Sequence, residues 1–130
     1  MAEPVIAVVN NDTEFLELMQ DLLSVEGYET VICREGDKAY ALVKELQPAL
    51  VVLDIRMDQP ETGWVVLELL RLDPETTQIP VIVCSADAPF LREKAASLQA
   101  LRCDVLEKPF DLETLLDKVA MGLGRGAGEE

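Results

Sequence analysis

Five times along the chain a short apolar run is followed by a turn and then by an apolar stripe at helical spacing. That repetition constrains the fold more than any other feature. Val5–Val9 is continuously apolar, and from Phe15 the apolar positions become Phe15, Met19, Leu22 and Leu23, ended by Gly27. Thr30, Val31, Ile32 and Cys33 form a second run, followed by the stripe Ala39, Leu42, Val43 and Leu46 before Pro48. Residues 49–53, 80–84 and 103–106 are three further runs. They are followed by helical patterns over 64–72, over roughly 89–101, and over Leu112, Leu115, Leu116 and Val119. Parallel strands need a crossover between them, and helices of this length supply it. Runs that are apolar throughout are strands covered on both faces. The pattern therefore predicts an α/β fold: one doubly wound (βα)5 domain, a parallel five-stranded sheet with helices on both faces. Pro4, Pro48 and Pro80 fall at strand starts, where a missing N–H costs least.

A chain of 130 residues holds one such domain and leaves no room for a second catalytic one. Eleven Lys and Arg against 25 Asp and Glu give a net charge of -14, which disfavours direct attraction to nucleic acid or to an anionic membrane. The sequence has no histidine, so Ser/His/Asp and Cys/His nucleophile systems and imidazole zinc sites are excluded. Cys33, Cys84 and Cys103 lie in apolar stretches without CxxC spacing and read as reduced core thiols. No apolar run reaches the length of a membrane span, and the first residues lack the positive region of a signal peptide, so a cytoplasmic location is expected. Gly122, Gly124, Gly126 and Gly128 crowd the last nine residues. The expected division is a folded domain over 1–121 and a flexible tail or truncated linker over 122–130.

In an open doubly wound sheet, ligands bind beyond the carboxyl ends of the strands, where the strand order reverses. Those ends supply Asn10, Asn11 and Asp12 after the first strand, Asp54 after the third, Ser85 after the fourth, and Glu107, Lys108, Pro109 and Phe110 after the fifth. A carboxylate nucleophile flanked by a hydroxyl donor and an ammonium can hold a phosphoryl group. Taken alone, Asp54 is equally a capping or solvated turn residue, and it is the matching placement of Ser85 and Lys108 that favours the phosphoacceptor. Lys108 and Pro109 suit either a cis-proline turn with an exposed lysine or, the favoured reading, a lysine facing Asp54. Asp12 reads as the N-cap of the first helix rather than as a metal ligand, and Trp64 as a packing residue.

Val51, Val52, Leu53 and Asp54 with Met57, then residues 80–86, then Lys108, Pro109 and Phe110 stand in an order and spacing that resembles the receiver domain of two-component response regulators, over residues 4–121. The resemblance implies a flavodoxin-like sheet of order 2-1-3-4-5. It implies that Asp54 accepts a phosphoryl group from a histidine kinase or phosphotransfer protein, that Ser85 and Lys108 bind the phosphoryl oxygens, and that the backbone carbonyl of Arg56 is a Mg²⁺ ligand beside Asp54. Catalysis of its own would extend at most to phosphoryl transfer and autodephosphorylation. Signal would leave by contact with a downstream effector, without direct nucleic-acid or membrane binding, and the face of the fourth helix, fifth strand and fifth helix would serve partners or a homodimer.

The sequence departs from the family pattern in four places. Asn10 and Asn11 occupy the positions of the acidic pair that holds the metal, Asn11 directly and Asn10 through water, so weakened Mg²⁺ binding is expected. Asp12 is acidic one position late. The segment from Asp58 to Thr62 is one residue longer than usual, and Val105 stands where the aromatic switch residue is expected. Any switch must then run through Ser85 and residues 86–88, and Asp87 is positioned to pair with Arg56 over the pocket mouth. The rival reading is a pseudo-receiver that keeps the fold as an interaction module and does without phosphorylation. An aspartate-nucleophile phosphohydrolase would want a second carboxylate where Arg56 stands, and a flavin carrier would want a Ser/Thr/Gly-rich loop where residues 10–14 are acidic.

Overall fold

The computed structural model describes residues 3–55 and 62–126. Strands β1 (Val5–Val9), β2 (Glu29–Cys33), β3 (Leu50–Asp54), β4 (Val81–Ser85) and β5 (Asp104–Glu107) alternate with α1 (Thr13–Val25), α2 (Gly36–Leu46), α3 (Thr62–Leu72), α4 (Ala88–Glu93), α5 (Ala95–Ala100) and α6 (Leu112–Gly126). All pairings are parallel and the sheet order is β2-β1-β3-β4-β5, as expected. The order reverses between β1 and β3, so the crevice for a ligand opens at the carboxyl ends of those two strands.

The period of two along each strand divides the core. Ala7, Val9, Val51, Leu53 and Val83 face one side, against α2, α3, α4 and α5 through Val43, Leu67, Leu70, Leu91 and Leu98. Ile6, Val8, Val52, Ile82 and Leu106 face the other, against Leu16, Met19 and Leu23 of α1 and Leu115 and Val119 of α6. Each such side chain contributes roughly 1.5–3 kcal/mol of burial, before the entropy of ordering the chain offsets most of the sum.

Two segments differ from the sequence reading. The single helix expected over 89–101 is divided at Lys94, whose backbone (φ -97, ψ 10) leaves the helical region, while Leu91 and Leu98 on either side both reach the core. The glycine-rich stretch expected as a tail from residue 122 is helical through Gly126. Gly122 is there because α6 presses on β3: a Cβ at that position would lie 2.4 Å from Leu50 Cδ1, whereas one at Gly124 would meet nothing. Residues 127–130 lie outside the described residues.

The three thiols are free, as read from the sequence, with Cys33 and Cys84 buried and Cys103 partly so. Burial pushes Cys84 up to about 12 and Cys103 to about 11, so both stay protonated. Around the end of α3, Arg71 donates to the carbonyls of Leu101 (2.7 Å), Thr77 (3.1 Å) and Ile79 (2.8 Å), tying the approach to β4 to the approach to β5. Asp73 accepts the Tyr40 hydroxyl and pairs with Lys44 at 2.9 Å, which joins α2 to the same corner.

Candidate functional site

Strand register brings the candidate residues together. Val9 pairs with Leu53, so Asn10 and Asp54 leave neighbouring strands side by side; Asp54 pairs with Cys84, and Ser85 with Glu107. Three backbone bonds carry the alignment past the strand ends: Asn10 N–H to Cys33 O (3.0 Å), Ile55 N–H to Cys84 O (3.2 Å) and Lys108 N–H to Ser85 O (2.8 Å). The Lys108–Pro109 peptide is cis. The thiol of Cys84 feels both charges of the pocket, lowered by Lys108 and raised by Asp54, although burial dominates. Gly63 lets α3 begin against the end of β3, since a Cβ there would lie 2.4 Å from Ile55 O and 2.5 Å from Asp54 O.

Ser85 is 3% exposed, and its Oγ accepts the Asp87 N–H at 3.0 Å. That leaves its own O–H as a donor. Asp87 caps α4 by accepting the Phe90 N–H at 3.0 Å. Val105 is half-buried on β5 and packs on the core beneath α4 and α5. Arg56, expected as a carbonyl ligand and as the partner of Asp87, lies outside the described residues together with Met57 and residues 58–61.

The amide pair behaves unlike a pair of carboxylates. Asn10 is 1% exposed; its Oδ1 accepts the Asp12 N–H at 2.8 Å, and its Nδ2 is buried without a partner. Asn11 is exposed. Asp12 is the N-cap of α1, accepting the N–H groups of Glu14 (3.0 Å) and Phe15 (3.3 Å), as its position implied. A Mg²⁺ ion favours carboxylates and well-placed oxygens. The first amide oxygen is already engaged, a donor nitrogen occupies the other branch, and Asp54 is the carboxylate that ends the strand next to β1. The described residues therefore fit a tightly bound Mg²⁺ poorly.

The sequence reading missed Phe15 as a site residue. The Lys108 ammonium lies over its ring, 4.4 Å from the centroid, and Phe110 packs edge-on against it with centroids 6.3 Å apart. Phe15 had been counted only in the apolar stripe of the first helix. The available signal was an aromatic residue in the first turn of the helix that follows β1, on the same carboxyl-end side of the sheet as Lys108.

Residues 6–120 match the response regulator receiver domain, and the chain belongs to that family, the receivers of two-component signalling. It is 32% identical over 122 residues to the DNA-binding dual master transcriptional regulator RpaA of Synechocystis sp., covering 94% of this chain and 50% of that protein. It is 29% identical over 125 residues to the polar-differentiation response regulator DivK of Brucella ovis, covering 95% of this chain and 98% of that one. The chain thus spans about half the length of RpaA and nearly all of DivK. In fold it resembles the receiver domain of a sensor histidine kinase from Pseudomonas aeruginosa, solved with magnesium in its active-site cleft: TM-score 0.82, 19% identity, 95% of this chain and 99% of that one. Receiver domains in general interact with histidine kinases and effectors. Among the described residues no helix is long and apolar enough to cross a membrane.

Proposed function

We propose that Asp54 is the phosphoacceptor of this receiver. A carboxylate oxygen of Asp54 bonds to phosphorus as the bond from phosphorus to the donor, a kinase or phosphotransfer histidine nitrogen, breaks. Ser85 O–H and the Lys108 ammonium take up the charge on the phosphoryl oxygens. The observation that carries this reading is the convergence of Asp54, Ser85 and Lys108 on the ends of three adjacent strands. Incubation with acetyl phosphate followed by intact-mass measurement tests it: the parent gains one phosphoryl group and Asp54→Asn gains none. A parent that never gains the mass supports the phosphorylation-independent interaction module instead.

The rest of the reading follows from the same site. With amides at positions 10 and 11, Mg²⁺ binds weakly by way of Asp54, Asn11 and the Arg56 carbonyl. Output passes by protein contact through α4, α5, β5 and α6 to an effector or a second copy. Without a ring at Val105, the conformational response of residues 101–110 is small. The protein works in the cytoplasm and does not itself bind DNA.

A further inference from the structure

At the end of the sheet opposite Asp54 and Lys108, two guanidiniums lie side by side. Arg71 leaves the last turn of α3 and Arg102 the turn between α5 and β5, and both line a cavity of about 450 Å³ at the amino ends of β4 and β5. They donate to the same oxygen, that of Thr77, at 3.1 Å and 3.2 Å. Val81 lines this cavity, and Ser85 closes the other end of the same strand, about 13 Å away. Although the chain has 25 acidic residues, among the described residues no carboxylate lies within ion-pair distance of either arginine. Asp104, which also lines the cavity, pairs with Lys118 at 3.4 Å. Burial, and then the charge of Arg102, push Arg71 below its ordinary value.

The backbone singles out Arg102. It closes the turn after α5 with φ 59, in the left-handed region that favours glycine. Its N–H donates to Gln99 O at 2.9 Å, a bond that glycine would make as well. What arginine adds is a side chain that reaches back to Thr77, with Nη2 donating to Oγ1 at 2.8 Å as well as to the carbonyl. Arg71 is fixed by four carbonyls, those of Leu101, Thr77, Ile79 and Arg102. The bonds of Arg102 all leave from Nη2, so the N–H groups of its Nε and Nη1 stay available.

We propose that the cavity shared by Arg71 and Arg102 is a second ligand site, built for the phosphate group of a small phosphomonoester. A dianion matches two adjacent cations, and tetrahedral oxygens can meet guanidiniums from two directions. The carbonyls around Arg71 fix its position without cancelling its charge. Gln78 and Gln99 line the cavity and bring amide donors. Its volume lies in the range of small-molecule sites and exceeds what phosphate alone fills, so Pro80 and Val81 offer apolar surface to the organic remainder. The general rule for doubly wound sheets places ligands at the other end of the strands. Here two uncompensated charges and an arginine in a glycine conformation make the site, and it does not depend on Asp54 being phosphorylated.

The net charge of -14 opposes any anion, so the contacts within the cavity must hold the ligand. The test titrates the full chain with inorganic phosphate and with glycerol 3-phosphate, against sodium chloride of matched ionic strength, and follows ¹H–¹⁵N spectra. The amides of Thr77, Gln78, Val81 and Cys103 and the Arg102 Nε–H are expected to shift and saturate, with a dissociation constant of about 1 mM or tighter for glycerol 3-phosphate and no tighter for phosphate. Arg102→Gly, and Arg102→Asn as a second residue that accepts positive φ, should weaken binding at least about tenfold while melting no lower than the parent. Shifts that stay linear to about 50 mM, that chloride reproduces, or that fall only on residues 54, 85–88 and 108 overturn the proposal. So does unchanged affinity in the two variants, or glycerol 3-phosphate binding more weakly than phosphate.

Discussion

The Asp87 N–H donates to Ser85 Oγ at 3.0 Å, so the hydroxyl that ends β4 also fixes the N-cap residue of α4. The proposed binding of phosphoryl oxygens by that hydroxyl would thereby be linked to the start of α4. Ser85→Ala removes the acceptor and is expected to cost about 1 kcal/mol, a fall of roughly 3–6 °C in melting temperature for a chain of this size. It should also slow phosphorylation by acetyl phosphate, whereas Ser85→Thr should keep both properties. Thermal melts and intact-mass time courses of the two variants decide it.

Restoring the acidic pair with Asn10→Asp and Asn11→Asp is expected to act in opposite directions on two measurements. Position 10 is almost fully buried and adjoins Asp54, so a second carboxylate there adds desolvation and repulsion. Metal-free stability should fall by on the order of 2 kcal/mol. Mg²⁺ affinity, followed through the fluorescence of Trp64 beside the site, should rise by at least about tenfold. Equal affinities in the two proteins would rule out the amide pair as the cause of weak binding.

Asp73 gives a pH dependence of known sign. Its carboxyl is lowered from 3.8 to about 2, first by the Tyr40 hydroxyl, then by the Glu75 N–H and Lys44. A carboxyl depressed in the folded state stabilises the fold above its unfolded value, and that contribution fades as pH falls through the folded one. Asp73→Asn should therefore be less stable than the parent at neutral pH, with the gap closing between about pH 4 and pH 2. Urea unfolding of both proteins across that window measures the gap, and a constant difference would show that the carboxylate charge is not responsible.

Gly122 and Gly124 are two residues apart on α6 and should respond oppositely to alanine. At Gly122 the added Cβ meets Leu50 Cδ1 at 2.4 Å inside a packed core, so Gly122→Ala should destabilise by about 1–3 kcal/mol. At Gly124 nothing lies within 4 Å, and Gly124→Ala should stabilise by up to about 1 kcal/mol through helix propensity alone. Matched denaturant melts are the check. Alike signs would mean that the helix is not seated on β3 at residue 122.

β1, β3 and β4 were readable from sequence because burial on both faces writes an apolar run, and β1 begins and ends where Val5 and Val9 do. The end of α6 was not readable. Glycine raises the expectation of a tail, and only the contact with Leu50, distant in sequence, shows why a small residue belongs there. Asp54, Ser85 and Lys108 were visible because a parallel sheet gathers its strand ends by rule. Phe15 was not, since an aromatic in a helical stripe looks the same whether it fills the core or carries a cation, and here its cation comes from the opposite end of the chain.

The sheet order has a kinetic consequence for the two charges of the pocket. Asp54 ends β3, which is bonded on both sides, to β1 and to β4, while Lys108 follows β5, an edge strand bonded to β4 alone. A strand flanked on both sides exchanges its amide hydrogens only through near-global unfolding, and an edge strand opens far more often. Asp54 is therefore expected on a slowly opening segment of the chain and Lys108 beside a more quickly opening one. Amide exchange is expected to show the strand end beside Lys108 opening many times for each opening of the strand end at Asp54.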